Sequence, residues 1–265
     1  MLARLDRILL AVEDLDAAAA TWERLFSATR GAEDAVRSLG ARRLVMGLPE
    51  SEIELLAPAG PGAVADFVAK WRSGLFGVGF ESARVEAVRA SVAREGWPVV
   101  MEGEQIVVGP TLPGGPRVVV SPLGRARRAP PGEATIRHVY EVTHTVVDEP
   151  AATAAYARTF GLDAARFQPI SSKLFGYRGS LTLIDPPARL DRIEVTDPYD
   201  RSLAMGRFLD RRGQGLYMCF AETDDFGALR ARLDAAGARY QMRDAQDMSG
   251  APTCSTSTRR RYAEC

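Results

Sequence analysis

The strongest constraint on the fold is an internal repeat, in which features of the first half of the chain return about 140 residues later. Three positions of one short segment are identical at an offset of 140: Ile53 and Ile193, Glu54 and Glu194, Pro58 and Pro198. Four more are identical at an offset of 141: Phe67 and Phe208, Gly74 and Gly215, Leu75 and Leu216, Gly96 and Gly237. Because their order is preserved, we interpret the 265 residues as two homologous domains, 1–123 and 136–265.

The residues between these domains, 124–135, have the composition of a linker. Gly124 to Gly132 combines glycine and proline with the like charges of Arg125, Arg127 and Arg128. Such residues resist burial, so we expect a solvent-exposed connection. Contact of these arginines with an acidic partner is the alternative.

Within each domain, the hydrophobic pattern changes between strand and helix periodicity. The apolar run Leu5 to Val12 has the length of a strand, Asp14 is suited to begin a helix, and residues 15–26 show helical spacing. The second domain shows the same order of patterns on either side of Asp148. We therefore predict an α+β fold in which each domain contains two βαβββ modules.

Composition and charge exclude several classes of partner. Lys plus Arg and Asp plus Glu each total 34, so no net charge attracts nucleic acid or an anionic membrane. No run reaches the roughly 18 apolar residues of a membrane span, and three cysteines are too few for a disulfide framework. We expect a soluble, cytoplasmic protein whose partner is a small molecule, and homodimerisation is left open.

The modules and their motifs resemble the vicinal oxygen chelate superfamily, the group of glyoxalases, bleomycin resistance proteins and extradiol dioxygenases. The resemblance rests on the residues from Leu5 to Ala18 and covers nearly the whole chain. The motifs at Ile53 to Pro58, Phe208 to Leu216 and Asp224 to Phe226 are most similar to those of methylmalonyl-CoA epimerases. The resemblance implies two tandem domains, each curled into a half-open barrel around a cleft.

The same resemblance implies a divalent metal held in the cleft by inward-facing His, Glu or Gln residues. The matched positions in the first domain are Arg7, Glu54, Gly77 and Val119, and those in the second are Glu141, Glu194 and Met218. A guanidinium has no lone pair to donate to a metal. Because the usual histidines are absent at these positions, the cofactor stays unknown, and a hard cation on Glu141 and Glu194 is the remaining metal option.

Several matched residues are candidates for ligand binding. Glu54 and Glu194 lie on strands with apolar alternate residues, so each points either into a functional pocket or outward to solvent. Arg7 binds an anionic substrate group if it faces inward, and is an exposed strand residue otherwise. Tyr217 and Met218 stand where the epimerases have two histidines, and form either a pocket wall or core packing.

The two histidines, His138 and His144, are six residues apart on one predicted strand. Counting from Asp148 places Glu141, Thr143 and Thr145 toward the cleft and both imidazoles toward the helices, unless a one-residue bulge reverses one of them. We interpret both as structural histidines. The alternative makes His144 a general base or ligand beside Thr143 and Thr145.

The end of the chain departs from the fold pattern. Residues 251–265 show no alternation, so we do not expect them to form the closing strands. We hypothesise that a frameshift replaced the closing strands after about Pro252.

Two functional hypotheses follow from these residues. The first is an enzyme of the isomerase or lyase type on a small carboxylated or CoA-linked substrate, with Glu141 and Glu194 in proton transfer or metal binding and Arg7 as anion anchor. The second is a non-catalytic protein that binds a small molecule. An extradiol-type dioxygenase is a weaker third, because its iron requires two histidines and a carboxylate.

Overall fold

The computed structural model describes residues 1–110, 115–184, 191–243 and 262–263. Its strands form an eight-stranded sheet in the first half of the chain and a five-stranded sheet in the second. The first half contains, in chain order, β1 (Arg4–Ala11), α1 (Leu15–Phe26), β2 (Thr29–Val36), a 3-10 turn (Arg37–Leu39), β3 (Ala41–Gly47), β4 (Glu52–Pro58), α2 (Ala63–Trp71), β5 (Gly74–Ser82), α3 (Val85–Arg94), β6 (Val99–Glu102), β7 (Gln105–Val108) and β8 (Arg117–Pro122). The second half contains β9 (His138–Thr145), α4 (Glu149–Phe160), a 3-10 turn (Ala164–Arg166), β10 (Gln168–Ser172), β11 (Tyr177–Leu183), β12 (Arg192–Pro198), α5 (Ala204–Arg212), β13 (Gly215–Glu222), α6 (Phe226–Ala235), β14 (Met242–Arg243) and β15 (Tyr262–Ala263).

The strand order is the same in corresponding parts of the two sheets. The first sheet runs β2-β3-β4-β1-β5-β8-β7-β6, and the second runs β10-β11-β12-β9-β13. In each, the first strand of the half pairs in parallel with the last strand of its βαβββ module and antiparallel with the strand that follows. The predicted α+β class is confirmed.

The two halves differ in how much of the second module the described residues contain. The first half has both modules complete, with α2 between them. The second half has one complete module, then β13 and α6, while β14 pairs with β15 apart from the main sheet. Residues 244–261 and 264–265, which include most of the atypical tail, lie outside the described residues.

The helices that follow β1 and β9 are each preceded by an aspartate, Asp14 for α1 and Asp148 for α4. The Asp14 carboxylate accepts from the Ala17 backbone N–H at 3.0 Å, and Asp148 accepts from Ala151 at the same distance. Each therefore satisfies a donor of the first turn that has no partner within the helix. The first of these helices ends at Ser27 in the left-handed region.

A bulge in β9 decides which side chains share a face. The pairing with β13 shifts between Phe220 and Ala221, which skips Tyr140 and leaves Val139 and Val142 both in the core with the helices. Glu141, Thr143 and Thr145 consequently face the opposite, inner side. His138 falls on the other face from His144, which is the exception that the sequence pattern allowed for a one-residue bulge.

A common apolar core and backbone hydrogen bonds join the two halves. Residues of both sheets and of α1, α3, α4 and α6 form one buried cluster on the outer faces of the sheets. The Leu5 N–H donates to the Asp191 carboxylate at 2.9 Å, and the Val139 N–H donates to the Ser51 hydroxyl at 3.0 Å. The halves therefore lie side by side at β1 and β9.

The inner face of the first sheet is covered at one end by α2, which the sequence analysis did not identify. Val64, Phe67 and Val68 of this helix pack on inner-face residues such as Leu9 and Leu56. None of the helices in the described ranges is both long enough and apolar enough to cross a membrane.

Candidate active site

Arg7 points into the first sheet's inner face, where it meets Glu54. Its Nε lies 2.9 Å from Glu54 Oε1, and Arg43 Nη1 lies 3.2 Å from the same oxygen. Arg7 also donates to Ser121 Oγ at 2.8 Å and to Gln105 Oε1 at 3.2 Å. These side chains are all buried, and Arg7 and Glu54 are partners of each other.

The segment 124–132 closes the other end of this interior. Arg125 forms ion pairs with Asp6, at 2.9 Å, and with Glu52, and only 12% of its side chain is exposed. Burial opposes ionisation of Asp6, but Arg7 and Arg125 outweigh it and hold the Asp6 pKa below its usual value. The segment departs from a freely solvated connection at Arg125, whose guanidinium is held by two buried carboxylates, whereas Gly124, Arg127 and Arg128 are exposed.

Further contacts fix the same segment along the first sheet. Arg127 donates to the Ser51 carbonyl at 2.8 Å, and Arg128 pairs with Asp34 at 2.7 Å. A Cβ added at Gly31 would lie 2.6 Å from the Ala129 side chain, so the backbones approach too closely for a larger residue there.

The interior of the first half does not fit the divalent metal that the family resemblance implies. The guanidinium of Arg7 supplies the positive charge next to Glu54, and the third and fourth matched positions carry Gly77 and the buried Val119. Arg43 and Arg7 both contact Glu54 Oε1, so a metal bound to this oxygen would lie next to two guanidinium groups. We therefore derive no chemistry through a metal in this half.

The inner face of the second sheet carries two buried carboxylates on neighbouring strands. Glu141 lies on β9 and Glu194 on β12, where Glu194 is paired in register with Thr143. Thr143 Oγ1 donates to Glu194 Oε2 at 2.5 Å, and the Tyr177 hydroxyl donates to Glu194 Oε1 at 2.8 Å. Both oxygens of this carboxylate are thus held by hydroxyl groups.

Arg192 holds the other carboxylate. Its Nε lies 2.5 Å from Glu141 Oε2, and its guanidinium carbon lies 5.1 Å from the centre of the Tyr140 ring. Arg192 is two residues before Glu194 on β12 and directly opposite Glu141 in the parallel ladder. Its side chain keeps 18% of its surface exposed, whereas Glu141 keeps 4%.

Burial changes the acidity of both carboxyl groups. It raises the pKa of Glu141 to about 7, with Arg192 opposing the shift and Glu194 adding to it. Burial also raises the pKa of Glu194, against the hydrogen bonds from Thr143 and Tyr177. The negative charge of Glu194 therefore adds to the upward shift of the Glu141 pKa, so ionisation of one carboxyl group affects the other.

The structure brings together some of the predicted site residues and separates others. Glu141, Glu194 and Thr143 form one cluster, and Thr145 lies farther along the same face, 3.3 Å from the Thr196 hydroxyl. His144 lies on the outer face, where its Nδ1 is 2.8 Å from the Tyr156 hydroxyl of α4. It therefore does not share a face with Thr143 and Thr145.

Tyr217 lies in a different place from the carboxylate pair. Its ring meets Phe208 edge to face, with centroids 5.2 Å apart, in a groove between the two halves.

Neither Arg192 nor Tyr177 was among the candidate site residues found from the sequence, although both belong to the cluster. Arg192 carries a usable signal, because residues i and i+2 of a strand share a face and Glu194 was already a candidate. No comparable signal marks Tyr177, because it lies on β11 and reaches Glu194 only through the pairing of β11 with β12. In the described part of the chain, no three His, Cys, Asp or Glu side chains gather as metal ligands. The inner face of the second sheet therefore offers Glu141 and Glu194, each already bound by other side chains, and these do not make a metal site by themselves.

Comparisons with known proteins agree with this architecture. Residues 6–110 match the profile of the Glyoxalase/Bleomycin resistance protein/Dioxygenase superfamily. An ethylmalonyl-CoA/methylmalonyl-CoA epimerase of Cereibacter sphaeroides is 33% identical over 106 residues, which are 39% of this chain and 79% of that protein.

Two solved structures share the fold across both halves. A triple mutant of 4-hydroxymandelate synthase from Streptomyces coelicolor superimposes with a TM-score of 0.69 at 15% identity, covering 91% of this chain and 77% of that one. A xylose isomerase-like TIM barrel/4-hydroxyphenylpyruvate dioxygenase fusion protein gives 0.62 at 16% identity, covering 91% of this chain and 39% of that one. At these identities the likeness concerns the fold alone. The profile match and the epimerase relative together show that the chain belongs to the glyoxalase/bleomycin resistance protein/dioxygenase superfamily.

Proposed function

We propose that the protein is an isomerase or lyase-type enzyme that moves a proton at a carbon next to a carbonyl group. Its substrate is a small carboxylated or CoA-linked molecule, and Glu141 and Glu194 are the proton-carrying residues. The observation that carries this proposal is the pair of buried carboxyl groups on neighbouring strands of the second sheet's inner face. Buried carboxyls with raised pKa values are suited to proton transfer at neutral pH.

The proposed step is a proton transfer in both directions. The ionised carboxylate of the pair removes a proton from the substrate carbon, and the electron pair of the broken C–H bond moves onto the carbonyl oxygen as an enolate. The protonated carboxyl then returns a proton to the carbon, on the other face in an isomerisation. Glu194 is the better carboxylate because Thr143 and Tyr177 donate to it. Glu141, with its pKa near 7, is the better acid.

Arg192 supplies positive charge beside the pair. It contacts Glu141 and keeps 18% of its side chain exposed. An anionic substrate group or the developing enolate oxygen is stabilised by such a fixed charge in a site of low polarity. In this proposal Arg192 takes the anchoring role that the sequence analysis assigned to Arg7.

The epimerase relative selects the first substrates to test. That protein's name specifies ethylmalonyl-CoA and methylmalonyl-CoA, whose α-carbon lies between two carbonyl groups. We would incubate each thioester with the purified protein in D2O and follow loss of the α-proton signal by NMR, relative to the reaction without protein. The free dicarboxylic acids form a second pair of substrates without the CoA group.

Matched variants separate catalysis from folding. Glu141→Gln and Glu194→Gln keep the size of each side chain and remove the proton-carrying group, so each should slow exchange at least about 100-fold. Glu86→Gln, at an exposed ion pair of α3, is the control and should leave exchange unchanged. Saturable binding of these compounds with no exchange above background would instead identify a binding protein and overturn the enzyme proposal. Exchange that persists in both site variants would remove the carboxylate pair from the mechanism.

A further inference from the structure

A groove between α2 and α5 forms a second concave surface, away from the carboxylate pair. Two adjoining cavities of about 530 and 330 Å³ meet there and share Trp71, Phe208 and Arg212. The helices occupy equivalent places in the two halves, each directly before the strand that follows its βαβββ module. Among the described residues, none of those that contact Glu141 or Glu194 lines this groove.

Aromatic rings from both halves line the groove. Phe208 and Tyr217 meet edge to face at 5.2 Å, and Phe67 and Phe76 meet in the same manner at 5.4 Å. Trp71 lies between these two pairs as a lining residue of both cavities. Half-buried ring faces of this kind are suited to stacking against a planar group.

Positive charge is concentrated around the rings. Lys70, Arg207, Arg211 and Arg212 all line the groove, and within the described ranges none of them forms an ion pair. Asp66 is the one carboxylate among the described lining residues. By contrast, Arg201 near the start of α5 pairs with Asp210 at 3.1 Å.

Cation–π contacts place two of these charges over ring faces. The Arg212 guanidinium carbon lies 5.0 Å from the Trp71 ring centre and 5.9 Å from that of Phe208. Lys70 Nζ lies 4.7 Å from the Trp71 ring. Stacking holds the guanidinium by its face, so its N–H donors remain directed sideways toward an anion.

We infer that this groove binds a nucleoside phosphate, with the base against the aromatic rings and the phosphates on Arg212, Arg211 and Lys70. A planar ring joined to several negative charges is the ligand chemistry that rings and unpaired cations recognise together. The same chemistry occurs in a free nucleotide and in the nucleotide end of CoA.

Calorimetric titration of the full chain distinguishes these sources and tests the site. The probes are ADP, CoA, adenosine and inorganic pyrophosphate. We expect saturable binding of ADP, with adenosine and pyrophosphate each at least about tenfold weaker because each lacks one half of the recognised group. Binding should be weaker in about 0.5 M salt than in about 0.1 M salt. The reason is that the Debye length shortens as the ionic strength rises, so the attraction between the cations and the phosphates is screened. CoA that competes with ADP identifies the nucleotide end of CoA as a source. CoA that does not compete with ADP identifies a free nucleotide as the ligand.

Variants locate the binding. Arg212→Gln should weaken ADP about tenfold or more, and Arg211→Gln, at an exposed position outside the ring stack, should weaken it severalfold without disturbing the packing of the halves. Arg230→Gln on α6 is the matched control and should change affinity by less than about twofold. Absence of saturable binding by ADP and CoA, pyrophosphate binding as tight as ADP, or an equal loss in the control would overturn the proposal. The titration contains no substrate with an exchangeable proton, so its failure leaves the proton-transfer proposal unaffected.

Discussion

The guanidinium Nε of Arg7 lies 2.9 Å from Oε1 of Glu54, and both side chains are buried inside the first half. The same guanidinium contacts both oxygens of Asp6 at 2.7 Å. An internal cation therefore holds together carboxylates that would otherwise repel each other in a medium of low polarity. This arrangement makes the interior of the first half a structural core.

Removing the Arg7 charge should strongly destabilise the protein. Arg7→Met leaves Asp6 and Glu54 short of a partner, and breaking one side of a buried ion pair typically costs about 3 to 5 kcal/mol. Equilibrium urea unfolding measures the change. Arg42→Gln, at an exposed pair with Glu33, should cost about 1 kcal/mol or less. A loss for Arg7→Met no larger than that of Arg42→Gln would contradict the buried network.

The segment 124–132 should resist trypsin despite its three arginines. Cleavage requires local detachment of the backbone, and Arg125 opposes this through Asp6 and Glu52. Arg125→Gln should raise the rate of cleavage after Arg127 or Arg128 by about tenfold or more, which peptide mapping over time detects. Rapid cleavage of the unchanged protein in this segment would show that the docked arrangement is wrong, and Arg230→Gln provides the control for loss of a surface arginine.

Ionisation of Glu141 should make stability depend on pH. Its pKa is about 7 in the folded protein against an ordinary value of 4.5, so the folded state binds more protons than the unfolded state between these values. The stabilising contribution is complete below pH 4.5 and is lost as the pH rises through 7. When the pH rises from 5 to 8, the unfolding free energy of Glu141→Gln should increase by about 2 kcal/mol relative to that of the unchanged protein.

Urea unfolding at both pH values measures this difference, and Glu86→Gln should show none. The same ionisation predicts that proton exchange on a substrate changes near pH 7 in the unchanged protein. A difference between Glu141→Gln and the unchanged protein that is independent of pH would mean that Glu141 is ionised in the fold at all these values.

His144 should contribute to stability and not to proton transfer. His144→Leu leaves the Tyr156 hydroxyl, 2.8 Å from Nδ1, buried beside an apolar side chain, at a cost of about 1 to 3 kcal/mol. Adding Tyr156→Phe removes that hydroxyl and should recover part of the loss. Substrate exchange by the folded variants should stay within about threefold of the unchanged rate. A 100-fold loss in a variant of unchanged stability would return His144 to the catalytic residues.

Sequence patterns predicted much of the framework because their causes are local. Alternation along β9 placed Glu141, Thr143 and Thr145 on one face, and Asp14 and Asp148 marked the starts of two helices through bonds three residues away. The bulge at Tyr140 was foreseen only as an option, since it depends on the register of pairing with β13.

By itself, the sequence determined the order of the main strands and of helices α1, α3, α4 and α6, and the inward position of Glu141, because periodicity and capping act within a few residues of the same segment. Only the tertiary structure decided what those side chains meet. Arg7 contacts Ser121 across 114 residues, Arg125 contacts Asp6 across 119, and Tyr177 reaches Glu194 through strand pairing. Such contacts depend on how the sheets curl and on which segment covers the inner face, and the residues nearby in the chain do not specify either.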